Sequence, residues 1–284
     1  MKLSIIKHKL SQFIYKGGSG IGSNYLLFYM LKHLLLSRKI ENCKIIDVDS
    51  EPSTDLAIMH ADITHLDAEY VNFSRRFSVC LNSAVTDISK KTTSDLTVRS
   101  GDNAQGPFIV KANLNYAGLP EHKANKLVRD SGLEIQLPFP GVELVKEYSI
   151  VDSLDKLPEN IFDDANLTVE RFLPEKVGDY YAIRHYFFCG EAEICNQYLS
   201  ESPMIKGDSV IKKIPCELPV EVRERRKAMG FDYGKFDFVM HDGKPFIFDT
   251  NKTPGRPPLA LPATQAMISE LAEGLYNLLC EHHS

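Results

Sequence analysis

Residues 235–251 read KFDFVMHDGKPFIFDTN, and this stretch decides the predicted fold. Two runs of alternating apolar and polar residues flank Asp242-Gly243, which predicts a β-hairpin. A two-residue loop would place Asp237 opposite Phe248, whereas a three-residue loop at 241–243 sorts the side chains by polarity. With that loop, the apolar side chains that share one face are Phe236, Phe238, Met240, Phe246 and Phe248. We therefore predict the three-residue loop and an apolar face that packs inward.

The opposite face of this hairpin carries charged and amide side chains. In the predicted register Lys235 lies directly across from Asp249, and Asp237 and Asn251 share their face. Two neighbouring carboxylates repel each other, so a cation is expected between them. Carboxylate and amide oxygens suit a hard ion that takes its remaining ligands from water and phosphates. We predict that Asp237, Asp249 and Asn251 bind Mg²⁺, with Mn²⁺ as the alternative, beside a nucleotide; a solvated face with an ordinary ion pair is the other interpretation.

The composition limits the classes of partner that we expect the chain to bind. Its 284 residues include 33 basic and 38 acidic side chains, which gives a net charge of −5, and 43% are hydrophobic. This acidic balance argues against a nucleic-acid partner, and the length predicts more than one lobe because single cores stop growing at about 250 to 300 residues. The most apolar run, 25–36, contains Lys32 and His33 and is shorter than the ~20 residues that span a bilayer, so we expect no membrane partner.

The cysteines and the N-terminus predict a cellular compartment. The six cysteines contain no CxxC pair, and the chain opens without the charged, apolar and small-residue regions of a secretory signal. We therefore expect reduced thiols and a cytoplasmic location.

The beginning of the chain predicts a small open α/β domain over residues 1–85. Its predicted elements are strands at 13–15, 43–48, 56–59 and 77–81 and a helix at 23–37. The glycine run at 17–22 is interpreted as a strand-to-helix turn beside the substrate, with dinucleotide binding as a minor alternative. The run HADITHLD at 60–67 has the residue types of a transition-metal site, but a structural or substrate-lining role is favoured.

The motifs around the hairpin resemble those of the ATP-grasp superfamily, whose last strands carry a basic-x-Asp element, an acid-x-Asn element and a Pro-Gly turn. Here they read Lys235-Phe236-Asp237, Asp249-Thr250-Asn251 and Thr253-Pro254-Gly255. The family often has Arg in place of Lys235 and Glu in place of Asp249. The resemblance covers roughly residues 86–260 and implies an α/β ATP-grasp fold with α+β lobes, preceded by the small α/β domain. We place its small lobe at 86–170 and its large lobe, with the metal site and a C-terminal helix, at 171–284.

The same resemblance assigns nucleotide-binding residues. The strand 107–111 ends in Lys111, which matches a phosphate-binding lysine, and an earlier family lysine is matched by Lys90 or Lys91. The adenine hinge is matched by 169–173, and the residues assigned to it and to the ribose are Glu170, Arg171, Phe172 and, for the ribose, Glu175 or Asp179. Lys206 is interpreted either as a phosphate ligand or as a loop charge.

The implied activity is ATP-dependent joining of a carboxylate to an amine, as in ligases of the glutathione synthetase or ribosomal protein glutamate-ligase type. The carboxylate attacks the γ-phosphorus to give an acyl phosphate and ADP, and an amine then displaces phosphate. By analogy with the family, Lys235 and the Gly255 backbone N–H stabilise the oxyanion, and the stretch 113–118 is a mobile lid. Arg184, a charge in the middle of a strand, binds substrate or forms a salt bridge.

Two other functions remain open at this point. One is an ATP-grasp kinase that phosphorylates a hydroxyl group of a small molecule, and the other is a nucleotide-binding regulatory module without turnover. For the ligase we expect small-molecule or peptide carboxylates and amines as partners. The oligomeric state is open, and a homodimer is compatible with the sequence.

Overall fold

The computed structural model describes residues 1–11, 24–132, 136–255 and 261–281. The predicted strand at 13–15, the glycine run at 17–22 and the predicted helix start at residue 23 lie outside the described residues. Within those residues the strands form three sheets, one parallel and two antiparallel. This mixture of helices and sheets agrees with the predicted fold class, whereas the boundaries at 85 and 170 stay predictions.

The N-terminal sheet is parallel, in the order β2-β1-β3-β4. Its strands are β1 (Lys2–Ile6), β2 (Asn42–Ile46), β3 (Leu56–Met59) and β4 (Val79–Leu81). Helix α1 (Leu26–Leu36) packs on the face that carries Leu3 and Ile5, and helix α2 (Ala68–Ser74) packs on the face that carries Ile6 and Met59. Strand β1 is an apolar run that our sequence analysis missed, because a fully buried parallel strand has no alternating pattern.

The second sheet is antiparallel, in the order β6-β5-β7. Its strands are β5 (Phe108–Ala112), β6 (Ser149–Val151) and β7 (Leu167–Arg171), and the short helix α3 (Lys90–Thr93) and helix α4 (Leu119–Asp130) accompany it. Phe108, Val110 and Val169 form a small core on one face. Because side chains alternate along a strand, Ile109 and Lys111 face the other way. That face carries the nucleotide-binding lysine of our prediction.

The third sheet is the largest and is antiparallel, in the order β11-β10-β9-β12-β13, with β8 paired to β9. Its strands are β8 (Glu175–Val177), β9 (Tyr180–Cys189), β10 (Ala192–Ser200), β11 (Lys212–Pro215), β12 (Tyr233–His241) and β13 (Lys244–Asn251). Helix α5 (Val220–Ala228) covers the face with Phe236 and Phe238, while α1 and helix α6 (Pro262–Glu281) cover the face with Phe187. No helix in the described parts of the chain is both long and apolar enough to span a bilayer.

The hairpin β12–β13 closes differently from our prediction. Its loop is the two-residue turn Asp242-Gly243, with φ angles of 50° and 76°, and not a three-residue loop. One extra residue, Phe248, then forms a β-bulge between the pairs Phe238–Ile247 and Asp237–Asp249. As a result Ile247 joins the core with Phe236 and Phe238, and the predicted core positions of Phe246 and Phe248 are wrong.

Candidate active site

The bulge brings four polar side chains to one face of the hairpin. Asp237 pairs directly with Asp249, and Lys235 pairs with Asn251, so the predicted pairing of Lys235 with Asp249 is wrong. Directly paired residues, and residues two apart on one strand, point to the same side of the sheet. The Nζ atom of Lys235 lies 2.9 Å from Oδ2 of Asp237. The two carboxylates, the amide and the ammonium therefore share a face.

Two lysines from outside the large sheet, on α3 and β5, complete this cluster. Lys90 begins α3, and its Nζ atom lies 2.8 Å from Oδ1 of Asp249. Lys111 on β5 places Nζ 2.6 Å from Oε2 of Glu170 and donates to the carbonyl of Phe248 at 3.2 Å. Its ammonium also lies 4.8 Å from the centre of the Phe248 ring. Helix α3 and strand β5 thus contact the hairpin through one ion pair and one hydrogen bond.

Burial and charge pairing together set the protonation of Asp249, Lys90 and Glu170. Burial favours the neutral carboxyl of Asp249, but the nearby charge and hydrogen bond of Lys90 outweigh it and hold the pKa of Asp249 below its ordinary value. The same pairing raises the pKa of Lys90 against the opposing effect of burial. Both groups are charged at neutral pH. Glu170 differs, because burial raises its pKa despite the contact with Lys111.

His185 belongs to this face and was missed by our sequence analysis. It pairs with Asp237 across β9 and β12, and its Nε2 atom lies 3.6 Å from Oδ1 of Asp237. Its ring lies against that of Tyr198, with centroids 4.3 Å apart and ring planes tilted by 36°. Burial lowers the pKa of His185 to about 4, so the ring is neutral at pH 7. Strand alternation shows only that His185 faces away from Arg184, and its place beside Asp237 depends on the register between β9 and β12.

Arg184 and Glu175 lie on the opposite face of the sheet from Asp237. Arg184 pairs with Phe238, which is buried in the core under α5, and its guanidinium binds Glu175 through Nε at 3.1 Å and Nη2 at 2.7 Å. Glu175 also accepts hydrogen bonds from Gln197 at 2.9 Å and from the backbone of Met240 at 2.8 Å. The structure therefore places the side chains of Arg184 and Glu175 away from the acidic face, where their predicted substrate-binding and ribose-binding roles would need them.

The other predicted nucleotide-binding residues are more dispersed. Lys91 donates to the carbonyls of Phe162 and Asp164, at 3.0 and 2.8 Å, and not to the carboxylate cluster. The backbone N–H groups of Arg171 and Phe172 donate to the carbonyls of Leu96 and Pro107, at 2.9 and 2.8 Å, beside the second sheet. Asp179 and Lys206 are exposed and lie in loops. Of the two lysine candidates, Lys90 is the one beside the acids.

The loop after β3 binds the turn that follows Asn251. Asp62, in the HADITHLD run, accepts hydrogen bonds from Thr253 at 2.7 Å, from Asn115 at 3.0 Å and from the hydroxyl of Tyr25. Tyr25 in turn pairs with Gly255 as an isolated antiparallel bridge. Asp62 therefore connects three chain segments, which agrees with the structural interpretation of this run. In the described ranges no three His, Cys, Asp or Glu side chains are arranged to hold a metal, and the predicted set contains only two such residues plus Asn251.

The stretch predicted as a lid has an unusual backbone. Residues Asn115–Gly118 form a 3-10 turn in which Tyr116 and Ala117 have φ angles of 49° and 59°. These values lie in the left-handed region, which is uncommon for residues other than glycine. The Tyr116 side chain is 70% exposed. Closure of this segment over a ligand stays a prediction.

Solved structures resemble the chain over nearly its whole length. D-alanine–D-alanine ligase from Bacillus anthracis, complexed with ATP, has a TM-score of 0.50 and 14% identity and covers 100% of both chains. A RimK domain protein ATP-grasp from Sphaerobacter thermophilus DSM 20745 has a TM-score of 0.49 and 10% identity, over 99% of this chain and 100% of that chain. A RiPP-associated ATP-grasp ligase from Chryseobacterium gregarium, in complex with ADP and a leader and core peptide, has a TM-score of 0.47 and 14% identity, over 99% and 96%.

The likeness to the D-alanine–D-alanine ligase defines the class of structure. The chain has the ATP-grasp fold, which confirms the fold that the motifs of the hairpin predict. No family model matches the chain, and no curated protein matches its sequence.

Proposed function

We propose that the chain is an ATP-dependent ligase that joins a carboxylate to an amine through an acyl phosphate. One observation carries the proposal: Lys90 and Lys111 of the small lobe meet the acidic face of the hairpin, through Asp249 at 2.8 Å and the Phe248 carbonyl at 3.2 Å. Paired cations that face paired carboxylates across a junction of lobes suit a metal-bound polyphosphate. The D-alanine–D-alanine ligase of the same fold was solved with ATP, which favours ATP as the nucleotide.

The carboxylate pair fits a magnesium ion. Oδ1 of Asp237 is buried without a hydrogen-bond partner among the described residues, and Asp237 pairs with Asp249 across the hairpin. The amide oxygen of Asn251, on the same face, accepts the backbone N–H of Thr253 at 2.7 Å. An oxygen-only set of two carboxylates and an amide suits Mg²⁺, or Mn²⁺ in its place. When bound, such an ion offsets negative charge on the phosphates. Asp237, Asp249 and Asn251 would hold it.

The remaining residues of the site position the reactants. Lys90 and Lys111 bind phosphate oxygens of the nucleotide, which replace the carboxylates of Asp249 and Glu170 as their partners. Lys235 and the backbone N–H of Gly255 are donors for the oxyanion that forms when the amine attacks the acyl phosphate. The bond from carboxylate oxygen to phosphorus forms as the bond from phosphorus to ADP breaks; the amine then forms the C–N bond, loses a proton and expels phosphate. Because water would hydrolyse the acyl phosphate, closure of 113–118 over the site is part of the proposal.

A screen for ADP release tests this function. The chain is incubated with ATP, Mg²⁺ and pools of carboxylates and amines, and the Asp249→Asn variant is run beside it. Loss of the second carboxylate should lower ADP release at least on the order of 100-fold, the effect of losing one strong electrostatic group. Asp242→Asn is the matched control, since Asp242 lies in the turn of the same hairpin with a 90% exposed side chain, and it should keep wild-type activity. Equal activity of the Asp249→Asn variant and the wild type would contradict the metal assignment.

Hydroxylamine distinguishes the ligase from the other functions. An acyl phosphate reacts with hydroxylamine to give a hydroxamate, whereas a kinase yields a phosphoester that hydroxylamine leaves intact. ATP binding without ADP release over all pools would favour a regulatory module. Formation of a hydroxamate that requires ATP and a carboxylate is the expected result.

A further inference from the structure

Two cysteines form a close pair on the large sheet, away from the acidic face. Cys195 lies on β10, and Cys216 follows the last residue of β11, where the register places it opposite Cys195. The backbone N–H of Cys216 donates to the carbonyl of Cys195 at 3.1 Å, and the two sulfur atoms are 3.3 Å apart. Neighbouring antiparallel strands hold opposed Cα atoms about 4.5 to 5.5 Å apart, which lies within the range that disulfides span.

The surroundings of the pair favour thiolate chemistry. A hydrogen bond from the Cys195 thiol, aided by the charge of Arg184, lowers the pKa of Cys216 to about 7, whereas the same interaction raises the pKa of Cys195. Both thiols are only half-buried, so a small reagent can reach them. Cys189, by contrast, is fully buried, and burial raises its pKa. Half-exposed thiolates beside a positive charge are the reactive class of cysteine.

We propose that Cys195 and Cys216 form an oxidisable dithiol that closes into an intramolecular disulfide in reaction with a low-molecular-weight disulfide. The thiolate of Cys216 attacks one sulfur of the small disulfide and expels one small thiolate. Cys195 then loses its proton and attacks the sulfur of Cys216 in the mixed disulfide, which expels the second small thiolate. Two protein thiols are oxidised and one small disulfide is reduced to two thiols.

The disulfide would tie β11 to β10 behind the Arg184–Glu175 pair. Strand β11 is the edge of the large sheet and is held there by its pairing with β10. A covalent bond at this edge restricts its separation from β10 in the unfolded and partly unfolded chain. The oxidised protein should therefore unfold at a higher temperature than the reduced one. This inference does not depend on the ligase proposal, since neither thiol lies on the face of Asp237.

The test is a thiol count and a peptide map after incubation of the full chain with oxidised glutathione. After alkylation of the remaining thiols, two of the six cysteines should be protected, and a single cross-linked peptide pair should join 195 to 216. Because the second step is intramolecular, the mixed disulfide should stay below roughly a tenth of the protein. Dithiothreitol should restore all six thiols.

Variants make the result specific to this pair. Cys195→Ser and Cys216→Ser should each abolish the cross-link and leave a mixed disulfide on the remaining thiol, whereas Cys280→Ser, on α6, should keep the cross-link. Six reactive thiols after oxidation, a cross-link between other cysteines, or glutathione adducts without a cross-link would each overturn the proposal. The peptide map of the wild-type chain decides the question even if a serine variant fails to fold.

Discussion

The buried pair of Lys111 and Glu170 gives a prediction with a magnitude that follows from the structure. The side chains are 7% and 1% exposed, and Nζ lies 2.6 Å from Oε2. Removal of one partner from a buried ion pair leaves an uncompensated charge and costs about 3 to 5 kcal/mol. We therefore expect Lys111→Met to lower the free energy of unfolding by that amount at pH 7. Lys126→Met, which removes an exposed lysine from α4, should change it by less than about 0.5 kcal/mol.

The double variant Lys111→Met/Glu170→Leu separates stability from activity. Replacement of both partners by apolar side chains of similar size is often neutral, so its free energy of unfolding should return to within about 1 to 2 kcal/mol of the wild-type value. ADP release should stay lost, because the proposed phosphate ligand is absent. Urea denaturation at pH 7, extrapolated to water, measures the first quantity for all four proteins. A single variant as stable as the wild type, or a double variant no more stable than the single one, would refute the reasoning.

Three further predictions concern other parts of the chain. Glu175→Leu should lower the free energy of unfolding, measured by urea denaturation, by about 3 to 5 kcal/mol because Arg184 loses its buried partner. ADP release per folded molecule should stay within twofold of the wild-type value. A large loss of activity in fully folded protein would show that this pair acts in the reaction. Asn82→Ala should lower the free energy of unfolding by about 3 kcal/mol, because the side-chain amide of Asn82 hydrogen-bonds to the backbone of Asp232 and Tyr233 at 2.8 to 3.1 Å and the backbone φ of Asn82 is 59°. A decrease of less than about 1 kcal/mol in the same assay would contradict this. Burial lowers the pKa of His8 to about 4, so the unfolded chain binds an extra proton between pH 6.5 and 4, and this group lowers the free energy of unfolding by up to about 3 kcal/mol as the pH drops. His8→Phe should reduce the slope of the free energy of unfolding against pH in that window, while His185 keeps its own contribution, and an unchanged slope would count against the assignment.

Much of the fold could be predicted because the deciding signals are local. The predicted strands at 43–48 and 56–59 follow from short apolar runs between polar and turn residues, and the structure has them as Asn42–Ile46 and Leu56–Met59. The alternation of the hairpin also identified the polar side chains that share a face. The two-residue turn and the bulge together leave Asp237 and Asp249 on the same face of the hairpin, as the predicted three-residue loop does. Their partners on the opposite strand differ from the prediction.

The remaining errors have physical causes. A bulge has no residue signature here, so the partners of Lys235 and Asp249 could not be deduced from alternation. For Arg184 the sequence left substrate binding and a salt bridge open, and the structure shows the salt bridge, whose partner Glu175 lies nine positions earlier in the sequence. His185 was overlooked, because its relation to Asp237 depends on the register between β9 and β12. Sequence patterns within one strand do not contain the register between strands.

The bulge at Phe248 has a consequence for how strand β5 contacts the hairpin. A bulged residue is left out of the regular ladder, and here its carbonyl accepts the hydrogen bond of Lys111 from β5. A hairpin shortened by this one residue would keep Asp237 opposite Asp249 in an uninterrupted ladder. It would lose the Phe248 carbonyl as an acceptor for Lys111, whereas the Ile247 carbonyl would still accept the backbone N–H of Asp95, now at 2.8 Å. A single extra residue thus supplies the main-chain oxygen by which the hairpin binds the lysine of β5.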